Sequence, residues 1–244
     1  MILKRPQTIT SQVNSILRKR IRDGAYAPGS KLPSESELAA ELGVSRATLR
    51  QAMTSLVSEG MLLPRQGDGT YVNRRVFEIS TRLESFWSFT HMIENSGRKC
   101  TIHVLSTQVL PAGQQESDVL EIAPEEPIYV MERLFLADEQ PVILSTNIVP
   151  VAFFTVPPER CDARVPLNVF LETYCDQWIA YSTSDIRSAL PAPQAVERLQ
   201  LDSDEPLLTF FDVFYNRADQ PVAFGLNNYA DKRLNMRLVR AWGA

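Results

Sequence analysis

Along the N-terminal third of the chain, apolar residues recur at the three-and-four spacing of helices. Val13, Ile16, Leu17 and Ile21 form one amphipathic stripe that stops at Gly24. Ser34 with Glu37 three positions on is a capping box, which predicts a helix starting near Glu35 and carrying Leu38, Ala39 and Leu42 on one face. Gly43 ends that helix, and Ser45 caps the next, whose Leu49, Ala52, Met53, Leu56 and Val57 make a buried stripe closed by Gly60. Then the period changes. Met61-Leu-Leu63 and Thr70-Tyr-Val72 are short apolar runs around the polar turn Arg65-Gln-Gly-Asp-Gly69, which predicts a β-hairpin.

Two short helices joined by a glycine turn and followed by a hairpin make a winged helix-turn-helix, whose second helix enters the DNA major groove by its N-terminal end. That end carries Ser45, Arg46, Thr48 and Arg50. Arginine binds a guanine edge through two parallel hydrogen bonds, and serine and threonine contact phosphates or bases. In the hairpin, Gly67 and Gly69 permit positive φ and close backbone approach, which places Arg65, Gln66 and Gly67 within reach of a minor groove or phosphates. Ser34 and Glu35, at the start of the preceding helix, complete the candidate DNA-binding set.

This run resembles the GntR family of bacterial transcription regulators. The matching residues are Gly29-Ser-Lys-Leu-Pro-Ser-Glu35, Leu38-Ala39, Gly43-Val-Ser-Arg46, Thr48-Leu-Arg50, Leu56, Glu59-Gly60 and Gln66-Gly-Asp-Gly-Thr-Tyr-Val72. Ser36 stands where many members carry arginine.

Beyond Asn73-Arg-Arg75 the pattern changes to alternating strands punctuated by proline and aspartate, and a domain boundary is expected near 74–80, with a linker over 76–82 between residues 1–75 and 83–244. The second region contains a duplication. Leu110-Pro-Ala112, Val119-Leu-Glu-Ile122, Glu126-Pro-Ile128 and Ala137-Asp-Glu-Gln-Pro-Val142 are echoed by Leu190-Pro-Ala192, Arg198-Leu-Gln-Leu201, Glu205-Pro-Leu207 and Ala218-Asp-Gln-Pro-Val222, with Leu120 and Leu199 separated by 79 positions. Each copy reads as strand, short helix ending near the Glu-Pro, long strand, turn and returning strand. The prediction is an α+β domain, a mainly antiparallel sheet with helices on one face and a ligand pocket between the halves.

Such a domain behind such a reader resembles the HutC subfamily of the GntR family, whose effector-binding UTRA domain has a chorismate-lyase-like fold. The markers are Ser85-Phe-Trp-Ser-Phe-Thr90, Gly97, Glu132-Arg-Leu-Phe135, Gln140-Pro-Val142, Pro150 and Pro221-Val-Ala-Phe224. In relatives that bind phosphorylated sugars, a serine and its neighbour and an Arg-x-Arg pair hold the anion. The resemblance carries these roles to Ser88, Phe89 and Arg133 and puts Phe135 in place of the second arginine. The family's glutamates fall at Ser145 and near Gly225, and its effector-contacting tyrosine falls at Tyr229, so the resemblance implies a less charged pocket.

The residues themselves leave choices open. Arg133 shares a strand face with Tyr129, Met131 and Phe135, where a cation needs an anionic ligand or a partner. Displaced by the repeat, it lands on Asp212, so a ligand role and a structural ion pair are both open. Ser88 and Thr90 precede a short helix, as an anion site or as its cap. Phe210, Phe211, Phe214 and Tyr215 read as sheet core, while Trp87 and Trp178 stay open as pocket walls.

Composition sharpens this picture in three places. The net charge of −4 hides a split, since residues 1–76 hold twelve Lys or Arg against six Asp or Glu, a net of +6 that leaves −10 for the rest. The three cysteines, Cys100, Cys161 and Cys175, lie too far apart for a zinc site or a disulfide framework and are expected as buried thiols, and His91 and His103 suggest neither metal nor catalytic dyad. No run approaches a membrane span and the first residues do not read as a signal peptide, so a soluble, cytoplasmic chain is expected. The expectation is a non-enzymatic, ligand-responsive regulator without cofactor, usually a repressor in this family. It would bind an inverted-repeat operator as a homodimer and take a small, possibly anionic, metabolite.

Overall fold

The structure is a computed structural model that describes residues 8–77, 88–202, 206–230 and 233. The described residues fall into two compact units.

The first unit holds α1 (Ile9–Arg22), α2 (Glu35–Leu42), α3 (Arg46–Ser58), the hairpin β1 (Leu62–Arg65) and β2 (Gly69–Val72), and a short α4 (Arg74–Phe77). The capping box forms as the sequence requires: Ser34 Oγ accepts from Glu37 N at 3.3 Å and Glu37 Oε2 accepts from Ser34 N at 2.8 Å. Gly43 closes α2 at φ +65°. Ser45 Oγ accepts from Thr48 N at 3.1 Å and starts α3. Val13, Leu17 and Ile21 of α1 meet Leu38 of α2, Leu49, Ala52, Met53 and Leu56 of α3, and Leu62 and Val72 of the hairpin in one core.

Two expectations need correction, and one contact is new. Ile16 is 41% exposed, because the stripe of α1 that meets α3 is narrower than the apolar spacing suggests. The first hairpin strand starts at Leu62, with Met61 buried before it. The segment before α2 is a third edge of the hairpin: Leu32 N donates to Thr70 O at 2.8 Å and Val72 N to Ser30 O at 2.9 Å.

The second unit is a six-stranded antiparallel sheet of β3 (Cys100–Pro111), β4 (Pro127–Ala137), β5 (Gln140–Pro150), β6 (Tyr181–Ala189), β7 (Leu207–Tyr215) and β8 (Pro221–Tyr229), in the order β3-β4-β5-β8-β7-β6. Its helices are α5 (Phe89–Asn95), α6 (Gln114–Leu120), α7 (Leu167–Tyr174) and α8 (Pro193–Leu199). The duplication is built as two copies of strand, helix, strand, strand, joined by β5 and β8. Thr146 pairs with Leu226 at that seam, and these residues are 80 positions apart, so a pseudo-two-fold axis passes between them.

Each repeat helix crosses to the other copy. Leu120 of α6 packs with Phe224 of β8, and Leu199 of α8 packs with Leu144 of β5. Burying such a leucine contributes roughly 1.5–3 kcal/mol, so the halves stabilise each other. These helices end at Leu120 and Leu199, short of the Glu-Pro pairs where they were expected to stop.

The sheet is also covered on both faces. Ile128, Leu134 and Leu136 of β4 face α6 and α8, whereas Tyr129 and Met131 face Phe170 and Leu171 of α7, and Phe135 meets Phe89 of α5. The expectation of helices on one face fails because α7 lies between the repeats and belongs to neither copy. Of the cysteines only Cys175 is buried; Cys100 and Cys161 are half-buried. Apart from its first two residues, which end α4, the expected linker lies outside the described residues, as do Ser85, Phe86 and Trp87.

Leu49 is fully buried at the centre of the first core. Leu49→Ala is expected to lower the stability of this unit by about 2–5 kcal/mol, read as an earlier unfolding transition in urea.

Candidate nucleic-acid interface and effector site

On the first unit the candidate DNA residues divide by what their side chains already do. Ser34 and Ser45 are engaged in caps, and Thr48 Oγ1 lies 2.8 Å from Ser45 Oγ. Arg46 is exposed on the first residue of α3. Arg50, one turn on, donates to Glu35 from Nη2 at 2.6 Å and from Nε at 3.2 Å. The Arg50 guanidinium holds the Glu35 carboxyl below the usual carboxylate range. Such an exposed pair is weak and is screened by salt, so a phosphate or a guanine edge can take Arg50 over. Glu35 thus fixes the position of the Arg50 side chain.

In the hairpin the Arg65 guanidinium sits 3.9 Å from the centre of the Tyr71 ring. Asp68 fastens the turn, accepting from Tyr71 Oη at 2.8 Å and Lys31 Nζ at 3.1 Å, and these bonds hold its carboxyl low. Gln66 and Gly67 are left exposed at the tip. Gly67 has φ +75° with open space where a Cβ would stand, so its constraint is backbone conformation and not crowding. Lys31, which the sequence did not single out, is exposed beside the tip and is a further cation on this face.

On the second unit the candidate effector residues converge on the sheet face that also meets α7. Phe89 stands edge-on to Phe135 at 5.1 Å and to Tyr229 at 5.8 Å, and Tyr229 lies 4.8 Å from Phe210. Tyr229 is fully buried, which pushes its hydroxyl well above the ordinary tyrosine range. The Arg133 guanidinium lies 5.4 Å from the Phe135 ring centre. Ser88 caps α5, its oxygen accepting from His91 N at 3.5 Å, and the Thr90 hydroxyl is buried beside Cys100. Trp178 is exposed, 44% accessible, and is no wall of this cluster.

Arg133 is 1% exposed and belongs to a polar row that crosses the apolar floor. Its Nη1 donates to Val165 O at 2.8 Å and Ala163 O at 3.2 Å, and its Nη2 donates to Asn147 Oδ1 at 2.5 Å. Ser145 Oγ donates to Asn227 Oδ1 at 2.6 Å, Asn227 Nδ2 to Asp212 Oδ2 at 2.6 Å, and Ser184 Oγ to Asp212 Oδ1 at 2.5 Å. Arg133 and Asp212 thus form no direct ion pair, which closes the structural-pair alternative: two asparagines and a serine lie between them. Burial pulls the Arg133 guanidinium down to about 10 and pushes the Asp212 carboxyl up against the bonds from Ser184 and Asn227. Arg133 Nε is buried without a partner.

Gly225 leaves room for the amides. A Cβ there would meet Asn147 Nδ2 at 3.0 Å, Asn227 Nδ2 at 3.1 Å and Phe214 Cε2 at 3.3 Å. Sequence reasoning missed Asn147, Asn227 and Ser184. The signal was present for the first two, since Asn147 and Asn227 are separated by 80 positions, the repeat offset after the β7–β8 turn.

Comparison with known proteins decides the identity of this pair of units. The family profile of bacterial regulatory proteins of the gntR family matches residues 9–72, and that of the UTRA domain matches residues 95–235. The chain belongs to the gntR family of bacterial regulatory proteins. It is 34% identical over 211 residues to the HTH-type transcriptional regulator YurK of Bacillus subtilis, covering 86% of each chain. It is 27% identical over 197 residues to the mannosyl-D-glycerate transport/metabolism system repressor MngR of Escherichia coli, covering 81% of each. Among solved structures, YydK of Bacillus subtilis shares the fold at a TM-score of 0.74 and 18% identity, over 96% of this chain and 99% of that one. The winged helix-turn-helix is thus the DNA-binding part of a transcription regulator and the antiparallel domain its effector-binding part. Family members are regulators and not enzymes. Among the described residues no helix is long and apolar enough to cross a membrane.

Two outcomes follow for this regulator. Arg46→Ala is expected to weaken operator binding by about 1–3 kcal/mol if the side chain reads a base; a phosphate contact instead shows as a salt slope shallower by about one, and fluorescence anisotropy at several salt concentrations separates the two. A carboxyl whose pKa burial has raised stabilises the fold fully below the ordinary aspartate value of 3.8, and that contribution is lost as pH rises through the raised value. Asp212→Asn removes the loss, so its stability relative to the native chain increases as pH rises above the ordinary aspartate value of 3.8, read by urea unfolding at a series of pH values.

Proposed function

We propose that this protein is a repressor that binds an inverted-repeat operator as a homodimer and is released from it by a small metabolite with an anionic group, held in the second unit at Arg133. The observation that carries the ligand reading is the buried Arg133 Nε, a charged donor with no partner, beside the aromatic cluster of Phe89, Phe135 and Tyr229. A buried cation without a counter-charge is costly, and an anionic ligand offsets that cost. Repression is supported by relatives named as repressors, MngR and the NagR of Bacillus subtilis, the latter 25% identical over 205 residues.

The DNA half of the proposal assigns base or phosphate contacts to Arg46 and Arg50, with Ser45 and Thr48 beside them, and backbone or groove contacts to Arg65, Gln66 and Gly67 at the hairpin tip. Ser34 and Glu35 act behind them, one as a cap and the other by aiming Arg50. Two-fold symmetry supplies one recognition helix per half-site. A ligand shifts DNA affinity only through unequal affinity for the two states of the protein, and such couplings are typically 5–150-fold.

The test is anisotropy binding to duplex DNA from upstream of the protein's own gene, at two salt concentrations, with a panel of anionic metabolites added to the complex. Tight, salt-steep binding weakened within that 5–150-fold range by one compound is the expected result. Sequence-independent binding, or DNA affinity indifferent to every compound, overturns the proposal.

A further inference from the structure

The duplication places two opposite charges at equivalent positions of one floor. Arg133 of β4 and Asp212 of β7 are 79 positions apart; Asn147 and Asn227, and Ser145 and Gly225, are each 80 apart. The register agrees with this equivalence, since Arg133 pairs with Ser145 as Asp212 pairs with Gly225, and Ser145 pairs with Asn227 as Asn147 pairs with Gly225. The pseudo-two-fold axis between Thr146 and Leu226 therefore relates a cation on one side to a carboxylate on the other, each bonded to the asparagine of its own half.

Neither charge is neutralised within this arrangement. Asp212 is 7% exposed, and it accepts hydrogen bonds from the Ser184 hydroxyl and the Asn227 amide, both neutral. Among the described residues no lysine or arginine forms an ion pair with it, and each of its oxygens keeps a free lone pair. Arg133 ends on two backbone carbonyls and an amide oxygen, with Nε unpartnered. Strands β4 and β7 are separated by β5 and β8, so the two backbone positions lie roughly 14 Å apart at the usual spacing of strands. Asn147, Ser145 and Asn227 occupy the row between their side chains, so neither charge pairs directly with the other. A carboxylate that accepts only one hydrogen bond on each oxygen, both from neutral donors, keeps acceptor capacity that suits a cationic partner.

Resting on the effector reading above, we propose that Asp212 is the second pole of the ligand site and binds an ammonium group of the effector, whose anionic group is held by Arg133. The effector is then an extended zwitterion, with its two charges several bonds apart. Ser184 and Asn227 position the carboxylate, and Gly225 leaves the space that Asn147 and Asn227 occupy between the poles.

The test uses the full chain and matched probes: 4-aminobutyrate, 6-aminohexanoate and 8-aminooctanoate, each against the hydroxy acid of the same length. The readout is the thermal unfolding midpoint at pH 7.5. At least one amino acid is expected to raise the midpoint by about 2 °C or more, with no shift from its hydroxy twin and none in Asp212→Asn. Equal shifts from amino and hydroxy twins would overturn the ammonium assignment and leave an anionic effector at Arg133 standing. No shift from any amino probe would overturn it as well, and release of DNA by the anionic panel then tells whether the effector reading survives. The comparison of twins on the native chain needs no variant, so a misfolded Asp212→Asn leaves the test intact.

Discussion

The antiparallel pairing of β5 with β8 is the constraint on which the effector domain depends. Each copy of the repeat brings three strands and one helix, and neither copy covers its own apolar surface. Leu120 of the first copy is buried against Phe224 of the second, and Leu199 of the second against Leu144 of the first. The seam that makes these exchanges possible also fixes the polar row, because Ser145 reaches Asn227 only when their strands are paired in this register. Core and candidate ligand floor thus share one origin. A shift of one residue at the seam would turn Ser145 and Asn227 to the opposite face and bury hydroxyl and amide among leucines.

The two sides of the sheet divide the labour that follows. The face under α6 and α8 is aliphatic and closed, as a load-carrying core requires. The other face is split between an aromatic cluster against α7 and a second one at Phe89, with Arg133 and Asp212 between. A buried polar row in a dry floor is costly unless every group is satisfied, and here the exceptions are informative. The unpartnered Nε of Arg133 and the carboxylate of Asp212, which no described cation offsets, are the points where a ligand gains most by binding.

Much of the DNA-binding unit was legible because its signals are local. Ser34, Glu37, Gly43 and Ser45 act on backbone groups within four residues, so caps and stops follow from identity and spacing alone. What was not legible involved residues distant in sequence. The pairing of the segment around Leu32 with β2, the clasp of Lys31 on Asp68 and the ion pair of Arg50 with Glu35 all join different elements. In the effector domain the 79-residue offset between the copies was enough to place β4, β7, α6 and α8, but α7 lies outside the repeat and its coverage of the second face left no periodic trace.

The sequence by itself determined the two kinds of unit, the helix boundaries of the reader, the duplication and the charge split between the halves, because each of these is written in near-neighbour spacing or in composition. Only the tertiary structure decided that Arg133 and Asp212 are equivalent yet unpaired, that Asn147, Ser145 and Asn227 bridge them, and that Arg50 is paired with Glu35. The physical reason is that a charge acquires its meaning from burial and from its partners. Both are set by strand register across the sheet, which no local pattern of residues encodes.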